Sequence, residues 1–441
     1  SVNTLIGGGI INSSLTLINI KTPLTDDYTI NGDLNLQSGT LDLGGRNVTV
    51  TGNLNESNGT INLSSGRLVV LGSVTQSKGT LYVNNGSLII SGDYKITDGT
   101  YDNYPILLMT NDGDYISVGR NFLIKTYSNG SSYITAGVLE VKGDFIERGG
   151  YNGCYSTAYN NFTPGGTNKV ILSGSGVQTV SFDVPDKSYF NILQINNPNG
   201  NVVFNTGVIV NKLVGGVINS SLKLINLLTP LSDDLTINGD LNILGGTFDI
   251  GGRKVTVVGS LNISNGIISL SGGNLNVTGN ANVYKETISL LGGSLTVGGN
   301  MSVSNSNAVL SNGNITAAGN VTFSGGTIDL SGGKFIIGGT LAQSAGTLYV
   351  DGGSLIITGD YNIVDGIYGS YGILKMINDK DYICVGGNFL TKSYCSTAGN
   401  LSAGVLEIKG NFTQKLYGYG DNFAASGTHK VVLSGSGVQT V

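Results

Sequence analysis

The sequence predicts an all-β protein, a parallel β-helix (β-solenoid) with about 20 residues in each three-strand coil. Three observations carry this. Glycines recur at 239, 259, 279, 299, 319, 339 and 359, and at 32, 52, 72 and 92, in steps of twenty. Between them the apolar residues return as three pairs, each spaced by two: Leu241 and Ile243, Phe248 and Ile250, Val255 and Val257. Leu34, Leu36, Leu41, Leu43, Val48 and Val50 repeat the six positions near the start of the chain. No comparable stretch carries the 3.6-residue period of an amphipathic helix.

A spacing of two places both side chains of a pair on one face of a strand. Each period therefore reads as three short strands of Leu, Ile, Val and Thr, residues that suit a pleated surface. Gly, Asn and Ser separate the pairs and mark the corners. One such unit cannot bury its own apolar face, so its stability belongs to the stack. Corresponding strands of successive coils are then neighbours at about 4.8 Å, with the six apolar side chains turned into a narrow core.

After Gly92 the rhythm loosens. Equivalent corner positions fall at Arg120 and Gly143, and again at Gly387 and Gly410. These longer steps predict the same coil with bulged corners. Tyr101, Tyr104, Tyr115 and Phe122 belong to this stretch.

A larger repeat lies above the coil. Asn12-Ser-Ser-Leu-Thr-Leu-Ile-Asn19 returns as Asn219-Ser-Ser-Leu-Lys-Leu-Ile-Asn226, an offset of 207. Gly79-Thr-Leu-Tyr-Val83 returns as Gly346-Thr-Leu-Tyr-Val350, an offset of 267. The difference, 267 − 207 = 60, is three coils. The chain is thus expected to hold a first solenoid unit, 1–207, and a homologous second unit, 208–441, with three extra coils around 279–339. Lys169-Val-Ile-Leu-Ser-Gly-Ser-Gly-Val-Gln-Thr-Val180 also returns, as Lys430 to Val441 with a single Ile-to-Val difference. The first copy runs on through Phe182, Phe190 and Leu193 into the next unit. The second is expected to be cut short, as part of a longer natural chain. No charged or Pro-rich linker divides the units, so one continuous rod of roughly 100 Å is expected from about 4.8 Å per coil.

Composition narrows the function classes. Only 12% of residues are charged, the net charge is −5 and there is no basic stripe, so nucleic acid is not an expected partner. No apolar run reaches transmembrane length. No signal peptide opens the chain, and Ser1 falls inside a repeat, as in a mature segment. Cys154, Cys384 and Cys395 are too few in 441 residues for a disulfide framework. Cys384 and Cys395 align with Ser117 and Ser128, so the fold does not require either thiol, and their pairing is left open.

The Ser38-Gly-Thr-Leu-Asp-Leu-Gly-Gly45 type of coil resembles the short repeats of filamentous-haemagglutinin-type bacterial surface proteins. The Gly427 to Val441 stretch is similar to segments of large repetitive cell-surface proteins of Gram-positive bacteria. The resemblance is a pattern that runs over most of the chain. It implies a right-handed helix and an extracellular, surface-attached role, and it brings no catalytic residues. Neither the secretion domain of the first family nor a cell-wall anchor is visible.

Candidate chemistry is sparse. Asp33, Asp93, Asp240 and Asp360 follow a coil glycine, but Asn53, Ser73, Ser260 and Asn280 occupy the same corner, which points to turn chemistry. Asp112-Gly-Asp114 returns as Asp379-Lys-Asp381, and such acidic pairs are candidate calcium ligands through oxygen. The full calcium-loop spacing is missing, and the sequence is also that of a turn. Thr40, Thr60 and Thr80, then Thr247, Thr287, Thr327 and Thr347, form an outward column. Charged and bulky neighbours such as Asp42 and Tyr82 break any flat ice-binding grid. His429 has no Ser or Cys partner in a recognisable motif, and its counterpart is Asn168. Tyr368, Tyr371, Tyr417 and Tyr419, beside glycines, are the candidate ligand-binding residues: exposed aromatics stack on sugars or pack on a partner, and wide coils also use them as filling.

The expectation is a non-enzymatic extracellular structural protein: a stalk, fibre or adhesin of a bacterial cell surface, self-associating or joined to neighbouring repeats, with glycans or a host surface as partners. End-to-end assembly into filaments follows if open solenoid ends expose strand edges. The alternative is a carbohydrate-binding or polysaccharide-lyase-like β-helix, which needs acidic and basic side chains converging on one face. No cofactor other than calcium is expected.

Overall fold

The computed structural model describes residues 4–97, 104–126, 133–152, 155–159, 161–199, 201–365, 369, 371–415 and 421–441. Among these residues it is an all-β solenoid without helices, of about 19 turns with roughly 20 residues in each. No helix among the described residues is long and apolar enough to cross a membrane. The chain divides into two compact units, Ser1–Val214 with Ile218–Leu228, and Gly215–Val217 with Thr229–Val441.

In the first unit the three strands of a coil enter three parallel stacks. One stack includes Tyr28–Ile30, Asn47–Val50, Arg67–Val70 and Ser87–Ile90. A second includes Leu34–Leu36, Leu54–Glu56, Val74–Gln76 and Tyr94–Thr97. The third is short, with Thr40–Asp42, Thr60–Asn62, Thr80–Tyr82 and Ile106–Leu108. Registers advance by twenty, as in Val48↔Leu68↔Leu88, except at the end of the third stack, where Thr80 pairs with Ile106. An antiparallel hairpin, Gly150–Asn152 with Tyr155–Tyr159, interrupts the coils.

The second unit repeats the plan. Lys254–Val257, Asn274–Val277, Ser294–Val297, Asn314–Ala317, Lys334–Ile337 and Ser354–Ile357 pair in turn, each step again twenty residues. The six expected inward positions are core: Leu241, Ile243, Phe248, Ile250, Val255 and Val257 are all buried.

The periodic glycine is required by space. A Cβ on Gly279 would lie 2.7 Å from the Gly259 carbonyl oxygen and 2.8 Å from Ser260 Oγ. The preceding coil's corner occupies that volume, so a side chain at Gly279 would push these two coils apart, whereas the longer step after Gly92 has Arg120 at the equivalent corner. The loosened coils keep this corner. Arg120 N–H donates to the Gly92 carbonyl at 3.1 Å and Gly143 N–H to the Arg120 carbonyl at 2.8 Å. In the second unit Gly387 N–H donates to Gly359 and Gly410 N–H to Gly387, each at 2.9 Å.

Candidate functional surface

The corner after each glycine is a hydrogen-bonded ladder. In the first unit Asp33 Oδ1 accepts from Asn53 N–H (2.7 Å) and Asn53 Oδ1 from Ser73 N–H (2.9 Å). Ser73 Oγ then accepts from Asp93 N–H (3.1 Å), and Asp93 Oδ1 from Asn121 N–H (3.1 Å). In the second unit Asp240, Ser260, Asn280, Asn300 and Asn320 each accept from the backbone N–H of the next coil's corner. A short polar side chain here satisfies a backbone donor that the corner leaves free. That requirement explains why Asp, Asn and Ser interchange. Outward on the neighbouring strands, Asn55 Nδ2 donates to Asn35 Oδ1 and Asn262 Nδ2 to Asn242 Oδ1, a second ladder.

The two acidic pairs adopt one geometry. Asp114 is buried, and its carboxylate accepts from Asn85 N–H (2.6 Å), Thr110 N–H (2.7 Å) and Asn111 N–H (3.0 Å). Asp381 accepts from Gly352 N–H (2.5 Å) and Asn378 N–H (3.0 Å). Burial pushes the Asp381 carboxyl up, against the backbone hydrogen bonds that hold it down. Asp112 and Asp379 are exposed and accept from the hydroxyls of Thr167 and Thr428. Each pair therefore has one carboxylate directed into a turn and one directed to the next coil. Among the described residues no group of three or more His, Cys, Asp or Glu side chains comes together as a metal site.

A cluster absent from the sequence reading also occurs in both units. Tyr115 Oη donates to Glu140, and Ser173 Oγ donates to Glu140 Oε1 at 2.5 Å. Tyr382 Oη donates to Glu407 Oε2 (2.5 Å) and Ser434 Oγ to Glu407 Oε1 (2.6 Å). Burial works to raise Glu140, but the hydrogen bonds from Ser173 and Tyr115 outweigh it and leave the carboxyl below its ordinary value. Glu407 is lowered by the Ser434 and Tyr382 hydroxyls, and the Tyr382 phenol is raised by the same bond. The acceptor is saturated and the phenol is held protonated, which suits a rung of the stack. The three residues come from strands one coil apart, so only the coil register relates them.

No family model, curated protein or solved structure matches the chain.

The remaining candidates are scattered. Tyr368, Tyr417 and Tyr419 lie outside the described residues. Tyr371 is half-buried, with its ring 6.2 Å from that of Tyr394. Beside this pair, buried Asp365 accepts from Gly372 N–H (2.9 Å), Ser393 Oγ (2.9 Å) and Tyr394 N–H (2.6 Å). The threonine column is interrupted: Thr247 stacks on Ile267, and Thr287 on Asn307. His429 uses its ring as Asn168 uses its amide. Nδ1 meets the Ala403 carbonyl at 2.9 Å, and Asn168 Nδ2 meets that of Ala136 at 3.0 Å. Cys384 and Cys395 are free thiols, and Cys154 lies outside the described residues. Arg120 and Lys95 approach Asp93 at 3.9 and 3.4 Å, and Arg148 pairs with Asp183 at 2.8 Å. The second unit has Gly387 and Asn362 in place of Arg120 and Lys95.

Proposed function

We propose that the chain is a non-enzymatic structural β-solenoid, serving as a stalk, fibre or adhesin on a bacterial cell surface. The observation that carries this reading is the use of the polar side chains. The corner Asp, Asn and Ser residues, both buried acidic-pair carboxylates and both Tyr–Glu–Ser clusters are engaged from one coil to the next. Groups engaged in this way hold coils together, and the same rungs recur in two units of different length. A surface-exposed array built from whole coils can lengthen without a new fold. The extracellular bacterial setting rests on the resemblance of the coil sequence to surface repeat proteins.

Electron microscopy of the purified chain, with a glycan array on the same preparation, tests the reading. Particles or filaments without glycan binding indicate a fibre or stalk. Binding to defined glycans indicates an adhesin, and its loss in Tyr371→Ala would place the contact at the Tyr371–Tyr394 pair, with Tyr417 and Tyr419 the next positions to change. That aromatic pair also favours the second reading, a carbohydrate-binding β-helix. Calcium-dependent cleavage of an acidic polysaccharide would overturn the non-enzymatic assignment.

A further inference from the structure

The coils around 279–339 carry a groove of about 370 Å³ on their outer surface, and every side chain that lines it is uncharged. Ala281–Tyr284, Met301–Ser304 and the start of Val321–Asp329 stack there in parallel, pairing Ala281 with Met301 and Met301 with Val321. Those three residues are buried, so the next position turns outward and gives one column of Asn282, Ser302 and Thr322. The corner column beside it reads Asn280, Asn300 and Asn320. The corners around this run are Asp240, Ser260, Thr340 and Asp360, so the three Asn residues form a distinct block.

Each corner Asn is only half used. Asn280 Oδ1 accepts from Asn300 N–H and Asn300 Oδ1 from Asn320 N–H, both at 2.8 Å, and Asn320 Oδ1 accepts from Thr340 N–H at 2.9 Å. Among the described residues nothing accepts from the three Nδ2 groups, which stand one coil apart along the stack. The outward amide ladder ends in the same groove. Asn262 Nδ2 donates to Asn242 Oδ1 (3.0 Å) and Asn282 Nδ2 to Asn262 Oδ1 (2.9 Å). The next residue in the column, Ser302, has no amide to continue it, so Asn282 Oδ1 receives no donor among the described residues. The Ser302 and Thr322 hydroxyls are likewise without a partner there.

The first unit builds the matching face differently. Its outward column runs Asn35, Asn55, Thr75 and Lys95, and Lys95 and Arg120 reach Asp93 at 3.4 and 3.9 Å. In the groove the strands below are already paired on both sides, so a peptide would find no strand edge to extend. No Lys or Arg lines it to pair with an anion. It offers three amide donors, one amide acceptor and two hydroxyls that serve as either. Two residues beyond Asn282 on the same outward face, Tyr284 is 47% exposed, with Lys285 Nζ 5.1 Å from its ring centre. A ring beside neutral hydrogen-bonding groups matches a sugar, which carries both an apolar C–H face and hydroxyls.

We propose that this groove binds a neutral carbohydrate chain, laid along the solenoid so that successive sugars meet successive coils. The Asn280, Asn300 and Asn320 amides donate to its oxygens, Asn282 Oδ1 accepts from a hydroxyl, and Tyr284 stacks on a sugar face. The inference gives the adhesin form of the proposed function a ligand class and a place, and it rests on that form. The site is separate from the Tyr371–Tyr394 pair, which belongs to later coils.

The test is titration calorimetry of the 441-residue chain with neutral hexasaccharides of β-1,4-linked glucose, β-1,4-linked N-acetylglucosamine and α-linked mannose, and with hexagalacturonate as the acidic control. At least one neutral sugar is expected to bind. Asn300→Ser removes one donor and keeps the corner acceptor, since Ser260 Oγ accepts from Asn280 N–H at 3.3 Å in the same role. It should weaken binding about fivefold, the worth of one hydrogen bond. Ser302→Lys places a long side chain in the groove, where Lys95 stands in the first unit, and should abolish binding with the circular dichroism unchanged. Tyr371→Ala should bind as the natural chain does. If Ser302→Lys fails to fold, Asn300→Ser decides alone. A natural chain that binds none of the neutral sugars, or only the acidic one, overturns the proposal and leaves the stalk or fibre reading standing. Neutral-sugar binding that survives the groove variants undiminished also overturns it, and the adhesin then makes its contact elsewhere.

Discussion

At the scale of single residues, the solenoid interior is not uniformly apolar. Gln76 and Gln343 occupy inward positions, where Nε2 donates to backbone carbonyls one coil on, Ile106 at 2.9 Å and Ile373 at 3.1 Å. Their Oε1 atoms accept from the buried phenols of Tyr94 (3.0 Å) and Tyr361 (2.6 Å). Burial raises both phenols far above the ordinary tyrosine value, so they remain donors. Glu56 stands one coil before Gln76 in the same column and has no such solution. The residue is 1% exposed, neither carboxyl oxygen has a hydrogen-bond partner, and the Thr80 N–H beside it is donated to the Gly59 carbonyl at 2.9 Å. Burial pushes its pKa well above the ordinary 4.5. The folded form therefore binds more protons than the unfolded chain once the pH exceeds 4.5. Stability is expected to fall as pH rises from that value toward the folded pKa, with Glu147, also raised by burial, acting in the same direction. Glu56→Gln should remove part of this slope and raise stability at neutral pH by about 1–3 kcal/mol, the usual cost of an unpartnered buried polar group. Denaturant unfolding of both proteins between pH 4 and pH 8 reads it, and an unchanged slope would refute the assignment.

At the scale of elements, the acidic pairs act as turn clamps. Asp114 joins three backbone donors from two coils, and Gly137 packs directly above it: a Cβ there would meet the Asp114 carbonyl oxygen at 2.5 Å, and its φ is +77°. Gly404 repeats this over Asp381, with a φ of +80°. Asp114→Ala is expected to destabilise the chain by about 1.5–3 kcal/mol, the range for hydrogen bonds to a charged group. Because the carboxylate is already occupied by N–H groups, adding calcium or a chelator should leave the thermal midpoint of the natural chain unchanged. A calcium-dependent rise that disappears in Asp112→Ala would instead make the pair a cation site.

At the scale of the whole molecule, register is the conserved quantity. The coils around 279–339 sit in the second unit with Asn274–Val277, Ser294–Val297, Asn314–Ala317 and Lys334–Ile337 pairing in turn at steps of twenty. Deleting residues 280–339 joins Gly279 to Thr340, which reproduces the Gly72–Ser73 corner of the first unit. That deletion is expected to fold with the same β-type circular dichroism per residue and a cooperative transition. Deleting 280–329 removes two and a half coils, turns inward faces outward, and should abolish cooperative unfolding. If both deletions behave alike, the stacked-register account fails.

The twenty-residue coil, its six inward positions and its polar corners were legible in the sequence, because nearest-neighbour stacking writes the same constraint into each repeat. Asp33 and Asn53 could be read as corner residues for that reason, and the structure supplies the donors they satisfy. The Gln76–Tyr94 pair was legible only in principle, as a polar residue at an inward position that returns 267 residues later as Gln343. The Tyr115–Glu140–Ser173 cluster was not, because its members are joined across coils of unequal length, where the periodicity lapses. The strands that begin at Lys169 and Lys430 were legible as a repeated segment, and both pair in the same register with the strand of the preceding coil. The local sequence decides that such a segment becomes a strand and which side chains face inward. Which polar groups then meet across coils of unequal length depends on how one coil stacks on the next, and only the tertiary structure decides that.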